Sequence, residues 1–473
     1  MSARRAPTGG RTPALLGVLA VVAALVAASH AGHGFAPSVR VATAPVAGPT
    51  LPPVAAISSS WFCAEGTAVA GGRADETVIV ANLGGRSVTA TIAVTSGDRP
   101  VASQRFSVAA AAQLRVDVAS LTSAAEPGVV VEVLGGPVVV EHEVRHGARA
   151  AVGPCARQAS SDWYFAAGAT GPGTEDWLAL FNPFGDDAIV DVTFLTASGV
   201  QAPGQTQAID VPRRSRVSLP LHQLVPDQSS LALHVHARTG RVAAEQSLIF
   251  DGTNGVTGIA TTLGATGTSA TWRVPTGDAE TGTTATLVLA NFGPAGTRVD
   301  VHLALDSRAT LPTMHVAVPS MSVETLPLSA IPTGGGYAVT LSTPRARPVV
   351  AQLLEVWAPP APIVGVTATL GSTATAARWA FATGRVTAAG DAQLVAFNPS
   401  RRTRTVRVLA GAAGGLGRIA TATVAPGQRV VVPLAAGVGP NQVLVLSADG
   451  PVAAGRLVLG PSPSASSGVP ALP

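Results

Sequence analysis

The sequence predicts an all-β chain: four tandem immunoglobulin-like or fibronectin-like β-sandwich repeats behind an N-terminal signal or anchor helix. Three observations carry this reading. A Trp-opened motif recurs at Trp61, Trp163, Trp272 and Trp379, with spacings of 102, 109 and 107 residues. Each Trp is followed 19–21 residues later by the end of an apolar run in Asn, at Asn82, Asn182, Asn291 and Asn398. Between these marks apolar and polar residues alternate, as in Val190-Asp191-Val192-Thr193-Phe194 and Leu231-Ala232-Leu233-His234-Val235-His236. A period of two puts neighbours on opposite faces of a sheet.

At the N-terminus, Arg4, Arg5 and Arg11 precede an apolar run from Ala14 to Ala28, and Ser29-His30-Ala31 then offers small residues for cleavage. These are the parts of a secretory signal, so residues 1–31 read as a signal peptide. The uncharged stretch of 18 residues, 12–29, also reaches the lower limit for a bilayer span, and a retained membrane anchor fits equally. An anchor would keep the basic end inside and place all that follows outside. Residues 32–57 are rich in Pro and Ala and read as an extended spacer.

Composition narrows the class. Of 473 residues, 47% are hydrophobic and 12% charged, which excludes a disordered chain. Aromatics are only 4%, and the apolar fraction is mostly Ala and Val, small residues suited to sheets. All 31 basic residues are Arg. Past residue 31 there remain 28 Arg against 27 acids, so no basic stripe marks a nucleic-acid partner. The two cysteines, Cys63 and Cys155, both follow the leader. An even count in an exported chain reads as a disulfide, the alternative being two buried thiols. Such a bond would close a loop of about 90 residues, worth roughly 4–5 kcal/mol in the chain-entropy model. With no Cys-x-x-Cys, it reads as structural rather than redox-active.

The recurring marks divide the chain into sandwich repeats at 58–157, 158–268, 269–373 and 374–461, with 462–473 as a flexible Ser/Pro tail. The openings read Trp61-Phe62-Cys63-Ala64-Glu65-Gly66, Trp163-Tyr164-Phe165-Ala166-Ala167-Gly168, Trp272-Arg273-Val274-Pro275-Thr276-Gly277 and Trp379-Ala380-Phe381-Ala382-Thr383-Gly384. Repeat two reads as seven short strands between 163 and 250, broken at Asn182-Pro183, Ser198-Gly199 and Thr239-Gly240.

The Trp-aromatic-Phe-Ala-x-Gly opening, followed by a strand ending in Asn-Pro, resembles repeats of bacterial exported surface proteins. The layout of leader, spacer and degenerate repeats is similar to an actinobacterial family of exported proteins of unknown function. The resemblance covers nearly all of the chain after residue 58 and is best in repeats two and four. It implies sandwich domains at the cell envelope and supplies no activity.

Several signals suggest chemistry. His142-Glu143-Val144-Arg145-His146 matches His-Glu-x-x-His, which holds zinc when a helix brings the two His to one face. On a strand they would stand about 13 Å apart, too far to share one ion. His234-Val235-His236 is better placed, about 6.6 Å apart on one strand face, but no third ligand stands out. Glu141, Glu245 and Gln352 recur at one register, which suits partners for a neighbouring backbone group better than a catalytic carboxylate pair. The four Asn read as strand-end residues bonding the following turn. Four Trp occupy the shared core position, leaving Trp177 and Trp357 as candidate sugar platforms.

The sequence therefore predicts no catalytic residues, no cofactor and no metal. It points to a non-enzymatic cell-envelope protein, membrane-anchored or secreted. The expected form is an elongated sandwich array for protein interaction or scaffolding outside the membrane. The alternative is a module that binds a cell-wall polymer.

Overall fold

The computed structural model describes residues 46–471, apart from 70, 98–99, 280–281, 330, 332–334, 345–346, 385–390, 413, 435–437, 439–440 and 461. The leader and most of the spacer lie outside the described residues. Among those described, no helix is long and apolar enough to cross a membrane.

The fold is all-β, and each repeat is a sandwich of two antiparallel sheets. In repeat one the strands run Ser58–Cys63, Asp75–Asn82, Val88–Thr95, Pro100–Val108, Gln113–Asp117, Gly128–Leu134, Val138–His146 and Arg149–Pro154. One sheet orders them first-sixth-third-fourth, the other fifth-second-seventh-eighth. Repeats two and three keep that order, the fourth strand of repeat two being two short pieces, Gly199–Gln201 and Ile209–Val211. In repeat four the sixth and seventh strands run on as a single strand, Leu444–Leu459, that serves both sheets.

Why the Trp and Asn recur is now plain. Trp61, Trp163, Trp272 and Trp379 are all fully buried between the sheets. Three of the four indoles donate to the backbone at the start of the seventh strand: Trp163 to Val242 O at 2.7 Å, Trp272 to Val349 O at 2.8 Å, Trp379 to Val452 O at 3.0 Å. A large ring with one satisfied donor suits such a core. Each Asn stands at the end of the second strand, Asn398 one residue past it, and knots two turns together. Asn398 donates to Arg402 O at 2.8 Å and Val424 O at 3.0 Å, while its Oδ1 accepts the Ser400 N–H at 3.0 Å. Asn82, Asn182 and Asn291 repeat this pattern on their own turns. Replacing Asn398 by Asp keeps the acceptor and loses the donor, leaving buried carbonyls unpaired. We expect this to lower unfolding free energy by about 1–3 kcal/mol in denaturant titration, with Asn398→Ala at least as costly.

The structure has an eighth strand in each repeat, where the sequence of repeat two reads as seven. These are Arg149–Pro154, Thr257–Leu263, Gly365–Leu370 and Ser464–Ser467. They are short and rich in Gly, Ala, Ser and Thr, so they lack the alternation that marks a half-buried strand. Their burial comes instead from one another. The four pack side by side in a closed cycle, first on second, second on third, third on fourth, fourth on first. Thr262 Oγ1 donates to Ala368 O at 2.8 Å, Ser467 Oγ to Leu370 O at 3.0 Å, and Val152 N–H to Ser464 Oγ at 3.3 Å. Gly153 completes the cycle against Thr261.

Three expectations are corrected by this closure. The repeats do not form an elongated array: repeat four packs on repeat one, and the sandwiches make a closed ring. The segment expected as a flexible tail, 462–473, is held in the sheets where it is described: Ser464–Ser467 supplies the last strand and Val469–Pro470 pairs with the Trp379 strand. Nor is the whole of 32–57 an open spacer. Ala47 and Leu51 are buried, and Leu51 N–H donates to Pro470 O at 2.9 Å. The segment Val46–Pro49 closes one side of a small cavity of about 70 Å³ lined by the eighth strands of all four repeats.

Candidate functional site

Three joints of the ring repeat one contact, in which the seventh strand of one repeat presents a residue to the Trp-opened segment of the repeat before it. Glu245 Oε2 of repeat two accepts the Glu65 N–H of repeat one at 2.8 Å. Gln352 Oε1 of repeat three accepts the Ala166 and Ala167 N–H groups of repeat two at 3.0 and 3.1 Å. The equivalent residue of repeat four is Gly455, which faces Pro275 and Thr276 of repeat three. Pro275 has no N–H to satisfy, and a Cβ on Gly455 would lie 2.6 Å from the Thr276 methyl, so the two departures match. Glu141 of repeat one closes the circle by pairing with the buried Arg456 of repeat four at 2.9 Å.

A second joint alternates. Arg216 Nη1 in repeat two donates to the carbonyls of Ala64 at 3.1 Å, Pro127 at 3.2 Å, and Gly66. At the same register in repeat four, Arg429 Nη1 donates to Pro275, Gly277 and Tyr337 carbonyls at 2.8–2.9 Å and its fork grips Asp306. Repeats one and three have Gln113 and Val323 there, so the ring has a two-fold alternation laid over its four repeats.

The joint between repeats one and two holds the densest buried charge. His142 lies between two carboxylates, Nδ1 3.1 Å from Glu76 Oε1 and Nε2 3.2 Å from Glu245 Oε2. Glu65 accepts from Arg73 at 2.7 Å and from Ser247 at 3.1 Å. Burial alone would lower the His142 pKa, but Glu245 and Glu76 outweigh it and hold it well above the ordinary value. Burial pushes Glu76 up to about 7. Burial would also raise Glu65, yet Arg73 and Arg216 hold it below the usual carboxylate range. The cluster is a staple between repeats, with its polar groups turned on one another.

The sequence-predicted residues fall as follows. Cys63 and Cys155 are bonded to each other, which suits an oxidising, extracytoplasmic compartment. His142 and His146 share the strand Val138–His146 and do not converge: His142 is buried, while His146 is exposed beside the Arg73 carbonyl. Trp357, expected as a sugar platform, is fully buried and donates to Asp278 at 3.2 Å, so its ring offers no face to a ligand. Trp177 is half-buried, with the Arg73 guanidinium 4.2 Å from its ring centre and His222 at its edge. Of the acid pair beside it, Glu175 takes the Trp177 indole N–H at 2.9 Å and Asp176 is buried, its pKa raised well above normal by burial.

One constellation escaped the sequence. Asp162, at the start of a neighbouring strand, lies directly opposite His236 and takes His234 Nε2 and His236 Nδ1 on a single oxygen, each at 2.9 Å. Burial would raise the Asp162 pKa, but the bonds from His236, Ser161 and His234 hold it below the usual range. Burial lowers that of His234. A His-x-His pair signals one strand face, but only the pairing of strands could supply Asp162.

No curated protein matches the chain. Among solved structures, a tetra-tandem repeat in the extending region of a large adhesion protein covers 88% of this chain and 100% of its own, at 12% identity. Its TM-score of 0.12 gives that likeness no weight in the argument. A family model described as a family of unknown function (DUF5719) matches residues 140–435. That span takes in the end of repeat one, all of repeats two and three, and most of repeat four, and the chain belongs to the DUF5719 family.

Proposed function

We propose that the protein is a non-enzymatic, exported scaffold of the cell envelope, a rigid ring of sandwiches that holds a protein-binding surface outside the membrane. The leader composition and the Cys63–Cys155 bond support export. The polar residues that recur along the chain are engaged in joining repeats, which favours a structural reading of them over catalysis.

The observation that carries the docking role is an apolar patch on repeat one. Val54, Ile57 and Leu134 are 77%, 87% and 61% exposed. The Gly135 N–H donates to Ile57 O at 2.8 Å, which fixes the incoming segment beside the Leu134 turn. Beside them opens a groove lined by Leu83, Arg86 and Val88 of repeat one and by Arg378 of repeat four. A single exposed apolar residue is ordinary, but three around one groove mark an interaction surface. Its two arginines favour a partner segment that is apolar with acidic flanks.

A photo-reactive residue at position 57, in cells, tests this. We expect one discrete protein adduct, lost when Leu134 is also changed to Asp and absent when the probe sits at Val200 on the edge of repeat two. Adducts only with wall polymer, or none at all, would overturn the reading.

A further inference from the structure

We propose that Asp162, His234 and His236 form a binding site for one divalent late-transition metal ion, zinc being the natural occupant. The sheet builds the site. His234 and His236 alternate along Leu231–Thr239 and so leave the same face. The neighbouring strand, Asp162–Gly168, pairs Asp162 with His236 and Tyr164 with His234. All three donor atoms lie within 4.8 Å of one another.

The donors match the chemistry of such an ion. Two imidazoles and a carboxylate are a borderline-soft set that suits zinc, nickel or copper over calcium or magnesium. With metal–nitrogen and metal–oxygen bonds near 2.0–2.2 Å, two ligands on a tetrahedral ion stand about 3.3 Å apart. The present nitrogen–oxygen separations of 2.9 Å need to open by only a few tenths of an ångström. The ion would displace the hydrogens that His234 and His236 now share with the carboxylate.

Surrounding groups hold the ligands in place, as outer partners do at metal sites. Ser161 Oγ donates to Asp162 Oδ2 at 2.8 Å, which leaves Oδ1 turned toward the histidines. Tyr164 stacks on His234 with ring centres 4.3 Å apart and planes 3° from parallel. Phe292, from repeat three, lies 5.9 Å from the same imidazole. The side chains of His234, His236 and Asp162 are 25%, 50% and 31% exposed, so an ion can enter and the fourth position stays open to water. The other His–Cys group, His142 with Cys63 and Cys155, has its two sulfurs bonded to each other and both ring nitrogens beside carboxylates.

Titration of the untagged full chain with Co²⁺, followed by displacement with Zn²⁺, reads the site through the visible bands of tetrahedral cobalt. We expect one saturable equivalent. His236→Ala, which alters a half-exposed side chain, should weaken binding more than the ~10–100-fold that loss of an outer partner costs, and Ser161→Ala should fall within that range. Asp162→Asn should weaken it as His236→Ala does, with a melt in chelator showing the fold intact. His315→Ala removes a lone His–Asp pair, His315 Nδ1 to Asp300 at 2.7 Å, and should leave binding unchanged. Absence of saturable Co²⁺ and Zn²⁺ binding overturns the proposal, as does binding that survives His236→Ala and Asp162→Asn.

Discussion

Replacing Arg456 by Ala is expected to lower the unfolding free energy by roughly 3–5 kcal/mol, among the largest effects of any single change in the ring. Arg456 and Glu141 are 1% and 2% exposed, and their 2.9 Å pair joins the last repeat to the first. Nη1 also donates to Thr383 O at 2.8 Å and Nη2 to Ser466 at 3.3 Å, so one side chain ties two further segments of repeat four. Truncation leaves Glu141 buried without its cation, and that stranded charge accounts for most of the cost. The double variant Glu141→Gln/Arg456→Met removes both charges. It should recover most of the loss, since an apolar or neutral replacement of a buried pair is often neutral. Urea titration of the two variants beside the parent, with the Cys63–Cys155 bond kept oxidised, measures this. Equal loss in the single and double variants would show that packing, not charge, holds the joint.

How much of this was legible in the sequence depends on the range of each contact. The Trp and Asn positions act within their own repeat, on turns and strands about 20–80 residues away, and their spacing advertised the sandwiches. Glu245 and Gln352 were legible as partners of backbone groups, but not which backbone. The acceptor–donor pairs lie 180 and 186 residues apart, and nothing local distinguishes a bond within a repeat from one to its neighbour. A contact that leads from each repeat to the one before it can run on as a filament or close, and the angle between repeats decides which. That angle is set by the eighth strands, whose small side chains carry no periodic signal. The elongated array was therefore a natural reading of a repeat pattern whose closing strand the pattern does not show.

The sites follow the same rule. His234 and His236 were visible because two ligands sit on one strand, and Asp162 was not, because it sits 72 and 74 residues away on the strand beside it. Trp357 stood outside the shared Trp position and so read as spare, yet it fills the interior of repeat three and bonds Asp278. An aromatic out of register is a surface candidate only until the second sheet is placed over it. Gly455 opposite Pro275 shows what the pattern did contain: two departures, at different points of two repeats, that are explained only together.

Stability should fall as pH rises from about 5 to 8, the reverse of an ordinary acid-sensitive domain. Glu355 is buried, its Oε1 accepting the Asp278 N–H at 2.8 Å. Burial pushes its pKa from 4.5 up to about 8. Between those values the folded chain keeps a proton that the unfolded chain has lost, so stability is greatest at the acid end and drains away as pH climbs. At about 1.4 kcal/mol per pH unit and proton, Glu355 alone withdraws roughly 4 kcal/mol between pH 5 and 8. Asp176, raised by burial, acts with the same sign. So does His142 with its two carboxylates, since two hydrogen bonds among three groups need two protons however these are shared. The unfolded chain gives one of them up near pH 6.5, the ordinary value of His, while the folded cluster holds it higher. Glu65 opposes them only in acid: its lowered pKa contributes stability above 4.5 that is lost as pH falls below. Denaturant titrations at pH 5, 6.5 and 8 should therefore give midpoints that decline in that order. Glu355→Gln, which fixes the uncharged form, should flatten the decline by about one proton's worth and exceed the parent at pH 8. A parent whose midpoint holds level or rises across this range would mean that water or a cation reaches these carboxyls, and that the interior around them is wetter than its packing implies.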